Sequence, residues 1–418
     1  MKAWIKKHIG NTRLFHFLSE RRRKAVKALK NRRLRKYFRA YRTSESGKLK
    51  VGFVVQLYPL FDKQQALYEY IREREDCEAF LFVVPEDRWT DFSVPNDYTD
   101  NRFLAHYPEA IRVHKEDGSL ISLEDYRLDY LFYPRPYDEH LPENIRSSHM
   151  MKSVKCCYIP YGVALSKAFD GANTHNHFFC NMYFFFMENL YMKERMIRET
   201  PYNYKHGLQR IEAVGYPPFD YFLGMQGEPA NAVTWAPRWS LDPDTGRSHF
   251  FDYKDFFLKI AKDQERPYVF RPHPLLFQEV VKQQLMSQEE LDAYLSALTE
   301  EGVVIDIKSS LHEALENTAI LIVDFSSIIA EFFMTGRPII YCESGFERNQ
   351  TMNEMLKLEY VAHSEEELTK LYSMLLSGED PKFEARKKYI KETYGDGSNS
   401  AAAIFNVLME DAGRKVCI

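Results

Sequence analysis

Residues 320–343 read ILIVDFSSIIAEFFMTGRPIIYCE, and no other stretch restricts the fold as much. Ile320 to Val323 is an apolar run with the character of a buried strand. Asp324-Phe325-Ser326-Ser327 follows as a turn that opens a helix. The helix runs to about Thr335, Gly336 ends it, and Pro338 introduces a second buried strand over Ile339 to Tyr341. Two buried strands joined by a helix form a parallel pair with a right-handed crossover. The helix start offers free N–H groups and the positive end of a dipole, so Ser326 and Ser327 are placed to receive phosphate. The same serines also suit an ordinary helix cap.

A second motif favours the ligand reading. Tyr268-Val269-Phe270 is a short strand that ends in Arg271-Pro272-His273-Pro274. The two prolines restrict the turn and hold a cation and an imidazole at the strand's C-terminal end. In open α/β sheets, ligands bind outside those ends.

The rest of the chain repeats the alternation of strand and helix. Strands are expected at Lys50 to Gln56, Glu78 to Val84, Asp129 to Pro134, Lys155 to Ile159, Phe178 to Met187 (one or two) and Ile211 to Val214. Helices are expected at Lys63 to Glu75, Asp97 to Ala110, Glu143 to Val154 and Asn189 to Glu199. Gly224 to Asn231 is the best linker, and beyond it the pattern restarts. The second set has strands at Ala232 to Ala236, Tyr268 to Phe270, Val303 to Ile307, Ile320 to Val323 and Ile339 to Tyr341, the last clear one. Its helices cover Asp252 to Lys262, Phe277 to Thr299, Leu311 to Asn317, Glu365 to Leu376 and Pro381 to Thr393, and Ser398 caps a final helix. With no hairpin signals, this predicts two α/β domains with parallel sheets. The expected division is residues 1–47 as a basic arm, 48–226 and 227–395 as the domains, and 396–418 as a C-terminal helix.

At 418 residues, 45% of them hydrophobic, the chain can bury two cores. No apolar run approaches the ~20 residues that span a bilayer. The basic N-terminus lacks the apolar segment of a secretory signal. The six cysteines show no C-x-x-C spacing and read as reduced thiols, which argues against zinc. Charge is very unevenly distributed: residues 1–42 carry +15, and the remainder carries −19. Trp4, Ile5, Phe15 and Phe17 precede a run of Arg and Lys at helical spacing, with Val26, Leu29, Leu34 and Phe38 on an interrupted apolar face. This is the pattern of an amphipathic segment on an anionic membrane surface, where each base is worth about 1 kcal/mol. A domain-packing helix and a nucleic-acid arm are the rival readings. The acidic body opposes nucleic acid, so membrane is preferred and nucleic acid is not expected as a partner.

Arg271-Pro272-His273-Pro274, Asp324-Phe325-Ser326-Ser327 and Arg337-Pro338-Ile339-Ile340-Tyr341 together resemble the CDP-glycerol glycerophosphotransferase family, which makes teichoic acids and related capsule polymers. The resemblance extends through Trp235-Ala236-Pro237-Arg238-Trp239-Ser240, Val214-Gly215-Tyr216-Pro217 and Gly395-Asp396-Gly397-Ser398. It is specific over the C-terminal half and concerns only layout in the N-terminal half. It implies a GT-B fold: two Rossmann-like domains facing across a cleft, an N-terminal acceptor domain, a C-terminal nucleotide-donor domain and a last helix returning to the first domain. It also implies a transferase that uses no metal or other cofactor. By resemblance, Arg271 and His273 contact the donor phosphates, and Ser326 and Ser327 donate from the helix start. Arg238, Ser240, Glu331 and Ser398 are further donor-site candidates, with Glu331 facing the cleft toward a sugar or ribose hydroxyl. Trp235 and Trp239 are candidates for stacking on a base.

The N-terminal half departs from the family. Teichoic acid polymerases carry W-H-G-T, with its histidine assigned as acceptor base, where this chain has Tyr158-Ile159-Pro160-Tyr161-Gly162-Val163. Tyr161 is a candidate for lining the acceptor pocket, but a phenol is a poor base at neutral pH. Asp62, His175 and His177 are the candidate bases. The leading expectation is a peripheral enzyme on the cytoplasmic face of the membrane. It would move glycerol phosphate, or a similar polyol phosphate, from a CDP donor to a lipid-linked or glycan acceptor. The alternatives are a nucleotide-sugar glycosyltransferase of the same fold and a non-catalytic, membrane-tethered binding subunit.

Overall fold

The computed structural model describes residues 47–56, 60–84, 103–167, 177–242, 246–263, 265–307, 310–395 and 399–414, with positions 21, 36 and 37. His175, Ser398, nearly all of the arm and part of the helix expected at Asp97 to Ala110 lie outside these residues. So does the side chain of His177.

The first half builds β1 (Leu49–Val55), α1 (Asp62–Arg72), β2 (Cys77–Val83), β3 (Ile111–Arg112), β4 (Tyr130–Tyr133), α2 (Ser147–Met150), β5 (Lys155–Tyr158), α3 (His177–Asn181), β6 (Phe184–Met187), α4 (Leu190–Glu199), α5 (Pro201–Lys205) and β7 (Arg210–Ala213). After α6 (Pro217–Gly224), the second half adds β8 (Ala232–Ala236), α7 (Phe250–Lys262), β9 (Tyr268–Phe270), α8 (Leu276–Lys282), α9 (Gln288–Glu300), β10 (Val304–Ile305), α10 (Leu311–Leu315), β11 (Thr318–Val323), α11 (Ile328–Phe333), β12 (Ile339–Cys342), α12 (Gln350–Lys357) and β13 (Tyr360–Ala362). The last helices are α13 (Glu365–Leu376), α14 (Phe383–Tyr394) and α15 (Ser400–Asp411).

Two sheets result, ordered β3-β2-β1-β4-β5-β6-β7 and β10-β9-β8-β11-β12-β13. Every strand pairing in both is parallel, from Leu49↔Cys77 in the first to Val323↔Tyr341 in the second. The central strands are apolar on both faces because helices cover both sides, as in doubly wound sheets. In each sheet the strand order reverses, at β1/β4 and at β8/β11, which opens a crevice at the C-terminal strand ends.

Several elements differ from the sequence reading. Phe178 begins in a helix, α3, with only Phe184–Met187 extended. Apolar aromatics satisfy either geometry, and the polar Asn181, whose Nδ2 donates to Ser147 Oγ, marks the break. The long helix expected over Phe277 to Thr299 is two. Gln284 adopts a left-handed φ of 58°, and Ser287 starts α9 with a capping box on Glu290. The stretch Glu143 to Val154 keeps only the short α2. Ile339–Cys342 is not the last strand, because β13 follows α12. The final helix is capped by Asn399, whose side chain accepts from Ala402 N.

The two halves share an interior. One apolar cluster runs from Phe53 and Phe132 through Phe186 and Tyr216 to Phe325, Ile329 and Phe332. Helix α15 crosses back to the first sheet. There Asp411 accepts from Tyr130 Oη at 2.7 Å and Tyr183 Oη at 3.0 Å and pairs with Lys155 Nζ at 2.5 Å. Among the described residues, no helix is long and apolar enough to cross a membrane.

Candidate functional site

A cavity of about 410 Å³ lies between the two sheets. On one side it is lined by the segments after β8 (Pro237 to Trp239), β9 (Arg271 to Pro274), β10 (Asp306, Ile307) and β11 (Phe325 to Ile328). On the other it is lined by Tyr161 to Leu165, after β5. The walls of the cavity are therefore C-terminal strand ends from both domains.

The turn after β11 is fixed by Asp324. Its buried carboxylate accepts from Arg238 N at 2.9 Å, Ser248 Oγ at 3.2 Å and His249 N at 3.2 Å. That bracing presents Ser326 and Ser327 at the start of α11, both partly exposed to the cavity. Gly162, from the opposite domain, comes so close that a Cβ there would lie 3.2 Å from Ser327 Oγ. A side chain at position 162 would crowd the helix start.

Arg238 and the R-P-H-P turn supply the positive charge. Arg238 is held by its own backbone to Asp324, and its guanidinium lies over Phe346 at 4.7 Å and Phe325 at 5.3 Å. Arg271 Nη1 donates to Asp306 Oδ2 at 2.6 Å, so its head is anchored at the cavity wall. His273 is exposed at the cavity wall. Burial and the neighbouring Arg238 push its imidazole down to about 4, so it is neutral at pH 7. Its Nδ1 lies 3.2 Å from Leu275 N and accepts from it, which leaves the proton on Nε2 as a donor. The result is two cations, a neutral N–H donor and two hydroxyls around one cavity. Such a set stabilises a diphosphate and its departing charge through pre-positioned donors.

The other expected residues are placed differently. Trp239 lines the cavity beside His273, with ring centroids 6.2 Å apart, but Trp235 is core, packed on Phe257 and Phe270. Ser240 is 3% exposed, and its carbonyl accepts from Ser248 N; it does not line the cavity. Glu331 is not at the cleft either. It is 1% exposed, ion-paired with Lys63 Nζ at 2.7 Å, and receives Tyr216 Oη at 3.3 Å. The sequence shows the Glu on the correct helix but cannot show that α1 of the other domain brings a lysine to it.

On the N-terminal side of the cavity, Tyr161 lines the wall and shares a hydrogen bond of 3.1 Å with Tyr137 Oη. Burial raises its phenol well above the ordinary value, which makes it a still poorer base. Asp62 is buried at the domain junction, where it accepts from Leu311 N at 2.9 Å. Burial raises its carboxyl to about 6, although Lys63 and Arg271 pull the other way. A residue not singled out from the sequence, Glu188, follows β6; burial raises its carboxyl to about 7. Its signal in the sequence is a lone acid closing an aromatic strand, Phe184-Phe185-Phe186-Met187-Glu188. Among the described residues, no group of His, Cys, Asp and Glu is arranged to hold a metal ion.

Comparison with known proteins places the chain. Residues 211–394 match the family described as CDP-Glycerol:Poly(glycerophosphate) glycerophosphotransferase, so this half is glycerophosphotransferase-like. No curated protein sequence matches the chain significantly. Among solved structures, the wall teichoic acid polymerase TagF, as a variant soaked with CDPG, superposes with a TM-score of 0.54 at 14% identity. It covers 96% of this chain and 99% of its own. A UDP-N-acetylglucosamine 2-epimerase gives 0.54 at 14% identity over 89% and 99%. The UDP-GlcNAc 2-epimerase of Neisseria meningitidis bound to UDP-GlcNAc gives 0.55 at 10% identity over 87% and 100%. These likenesses establish the GT-B fold: two Rossmann-like parallel-sheet domains.

Proposed function

We propose, on the premise that residues 211–394 carry a glycerophosphotransferase-family domain, that the chain transfers glycerol phosphate or a similar polyol phosphate. The donor is CDP-activated, and the acceptor is the hydroxyl of a glycan or lipid-linked polymer of the cell surface, teichoic acid or capsule. The observation that carries this reading is the convergence of Arg271, His273, Ser326 and Ser327 on one interdomain cavity. Nε2 of neutral His273, the positive charge of Arg271 and the serine hydroxyls hold the diphosphate. Arg238, stacked on Phe325 and Phe346, adds positive charge to the same wall. In-line attack by the acceptor oxygen on the phosphorus bearing the polyol expels cytidine monophosphate, whose developing charge these donors meet.

The acceptor approaches from the N-terminal domain, past Tyr161 and Gly162. The +15 arm supports work at the cytoplasmic face of an anionic membrane, where a lipid-linked acceptor is within reach. A second reading, transfer of a sugar from a nucleotide sugar, draws support from the absence of a histidine between Tyr158 and Val163. Calorimetric titration with CDP, CDP-glycerol, UDP and UDP-sugars separates the two. Tight binding of CDP-glycerol is the expected result, and preference for a UDP-sugar favours the second reading. No nucleotide binding at all leaves a non-catalytic, membrane-tethered subunit.

A further inference from the structure

The N-terminal wall of the cavity hangs from the C-terminal domain. Tyr161 to Leu165 follow β5, so the chain places them with the N-terminal sheet. Their onward hydrogen bonds cross to the other domain. The Ala164 carbonyl accepts from Asn349 Nδ2 at 2.7 Å, and the Leu165 carbonyl accepts from Asn349 N at 2.9 Å. Ser166 then pairs antiparallel with Arg348, and Lys167 N donates to the Glu347 carbonyl at 3.2 Å. The Lys167–Glu347 ion pair beside them is exposed and adds little. Connecting segments are the least restrained parts of a domain. Here one residue of the facing domain holds two consecutive carbonyls of the wall.

Asn349 has little freedom of its own. It is 1% exposed and caps α12, with Oδ1 accepting from Met352 N at 3.1 Å. Met352 and Met355 of that helix are buried in the core shared by both domains. Three residues before Asn349, Phe346 stacks on Phe325 with ring centroids 4.1 Å apart and lies against the Arg238 guanidinium. Residues 346–349 therefore touch both walls. Phe346 meets the side that carries Arg238 and the serines, and Asn349 meets the side that carries Tyr161 and Gly162. Two residues before Ala164, Gly162 stands where a Cβ would lie 3.2 Å from Ser327 Oγ, so the gap there has no slack. The bonds from Asn349 thus fix how far the N-terminal wall stands from the start of α11.

We propose that Asn349 is a positioning residue for the transfer: it sets the wall past which the acceptor arrives at reacting distance from the bound diphosphate. This rests on the transferase reading given above. Attack needs the acceptor oxygen about 3–3.5 Å from phosphorus, and a misplacement of about 1 Å can cost about 100-fold in rate. Asn349 does not line the cavity; it acts through the backbone of Ala164 and Leu165, which do. A side-chain amide suits the place, because its oxygen serves the cap while its nitrogen serves the carbonyl. Serine or aspartate keeps the first and loses the second.

The test uses the full chain, CDP-glycerol and a short oligo(glycerol phosphate) acceptor. Asn349→Ser and Asn349→Asp keep a capping oxygen and lose the donor to Ala164, whereas Asn349→Ala loses both. All three should lower kcat/KM for the acceptor about 10–100-fold, with CDP-glycerol affinity by calorimetry held within about twofold. Asn349→Ser should melt close to wild type, and Asn349→Ala lower. Backbone hydrogen exchange across residues 160–167 should quicken in all three. A residue that served only the helix cap would spare Asn349→Ser and impair Asn349→Ala alone. That pattern overturns the proposal. So does Asn349→Ser turning over within about threefold of wild type, or unchanged exchange across 160–167. Wild type that binds no CDP-glycerol overturns the transferase reading and the proposal with it; that failure is distinct, because it appears in the unsubstituted chain.

Discussion

His273 shows how much of a residue's chemistry its neighbours decide. A histidine near a phosphate site is usually drawn as a cation, yet here burial and Arg238 hold it neutral, and Leu275 N fixes the proton on Nε2. It should act as an oriented hydrogen-bond donor, with Arg271 and Arg238 carrying the charge. Arg271→Ala and His273→Ala should each weaken CDP binding by about one to two decades, the ~1.5–3 kcal/mol of a charge-assisted hydrogen bond. His273→Ala should keep the wild-type melting profile, whereas Arg271→Ala also leaves the buried Asp306 without this partner and should melt lower. The affinity of wild type for CDP-glycerol, whose doubly esterified diphosphate takes up no proton in this range, should stay flat from pH 8 down to about 5 as far as His273 is concerned, because His273 titrates lower. Calorimetry across that range checks both statements. The R-P-H-P and D-F-S-S positions were legible in the sequence because proline and a capped helix start act locally. The neutral state of His273 was not, because it depends in part on Arg238, which a distant segment of the chain brings beside it.

At the scale of elements, the junction of α1 with α10 and α11 joins the domains. Lys63 and Glu331 are 268 positions apart and both buried, and Asp62 caps the backbone at Leu311. Removing one partner of a buried pair strands the other charge. Lys63→Met should therefore cost about 3–5 kcal/mol in denaturant unfolding, and Lys63→Met with Glu331→Met should recover most of it. Asp62 gives a pH dependence of defined sign. Its folded pKa of about 6 lies above the ordinary 3.8, so the folded chain holds the proton more tightly. That contribution to stability is complete below about pH 4 and is lost as pH rises through 6. Asp62→Asn keeps an acceptor for Leu311 N. It should be more stable than wild type at pH 7, by up to about 3 kcal/mol, and level with it below pH 4. None of these elements announces its partner in sequence: α1 reads as an ordinary amphipathic helix, and a long-range ion pair leaves no periodicity.

At the scale of the whole molecule, an acidic two-domain body carries a strongly basic N-terminal segment. If that segment attaches the protein to membrane, the full chain should float with phosphatidylglycerol vesicles and release as salt rises, since ions screen surface charge. A chain beginning at Lys48 should stay in the soluble fraction; equal flotation of the two would remove the membrane from the reading. The body's architecture was accessible from the start. Apolar runs bounded by turn residues, alternating with amphipathic helices, determine parallel sheets, and Gly224 to Asn231 marks where the pattern begins again. Those signals are local and periodic, so one sequence carries them. It also determined which strand ends bear the R-P-H-P and D-F-S-S motifs, because motif and strand are contiguous there. The tertiary structure alone decided that Glu331 pairs with Lys63 and that Trp235 is core. Each of those facts depends on which distant surface packs against a side chain, and burial, which sets both partner and pKa, is a property of the assembled fold.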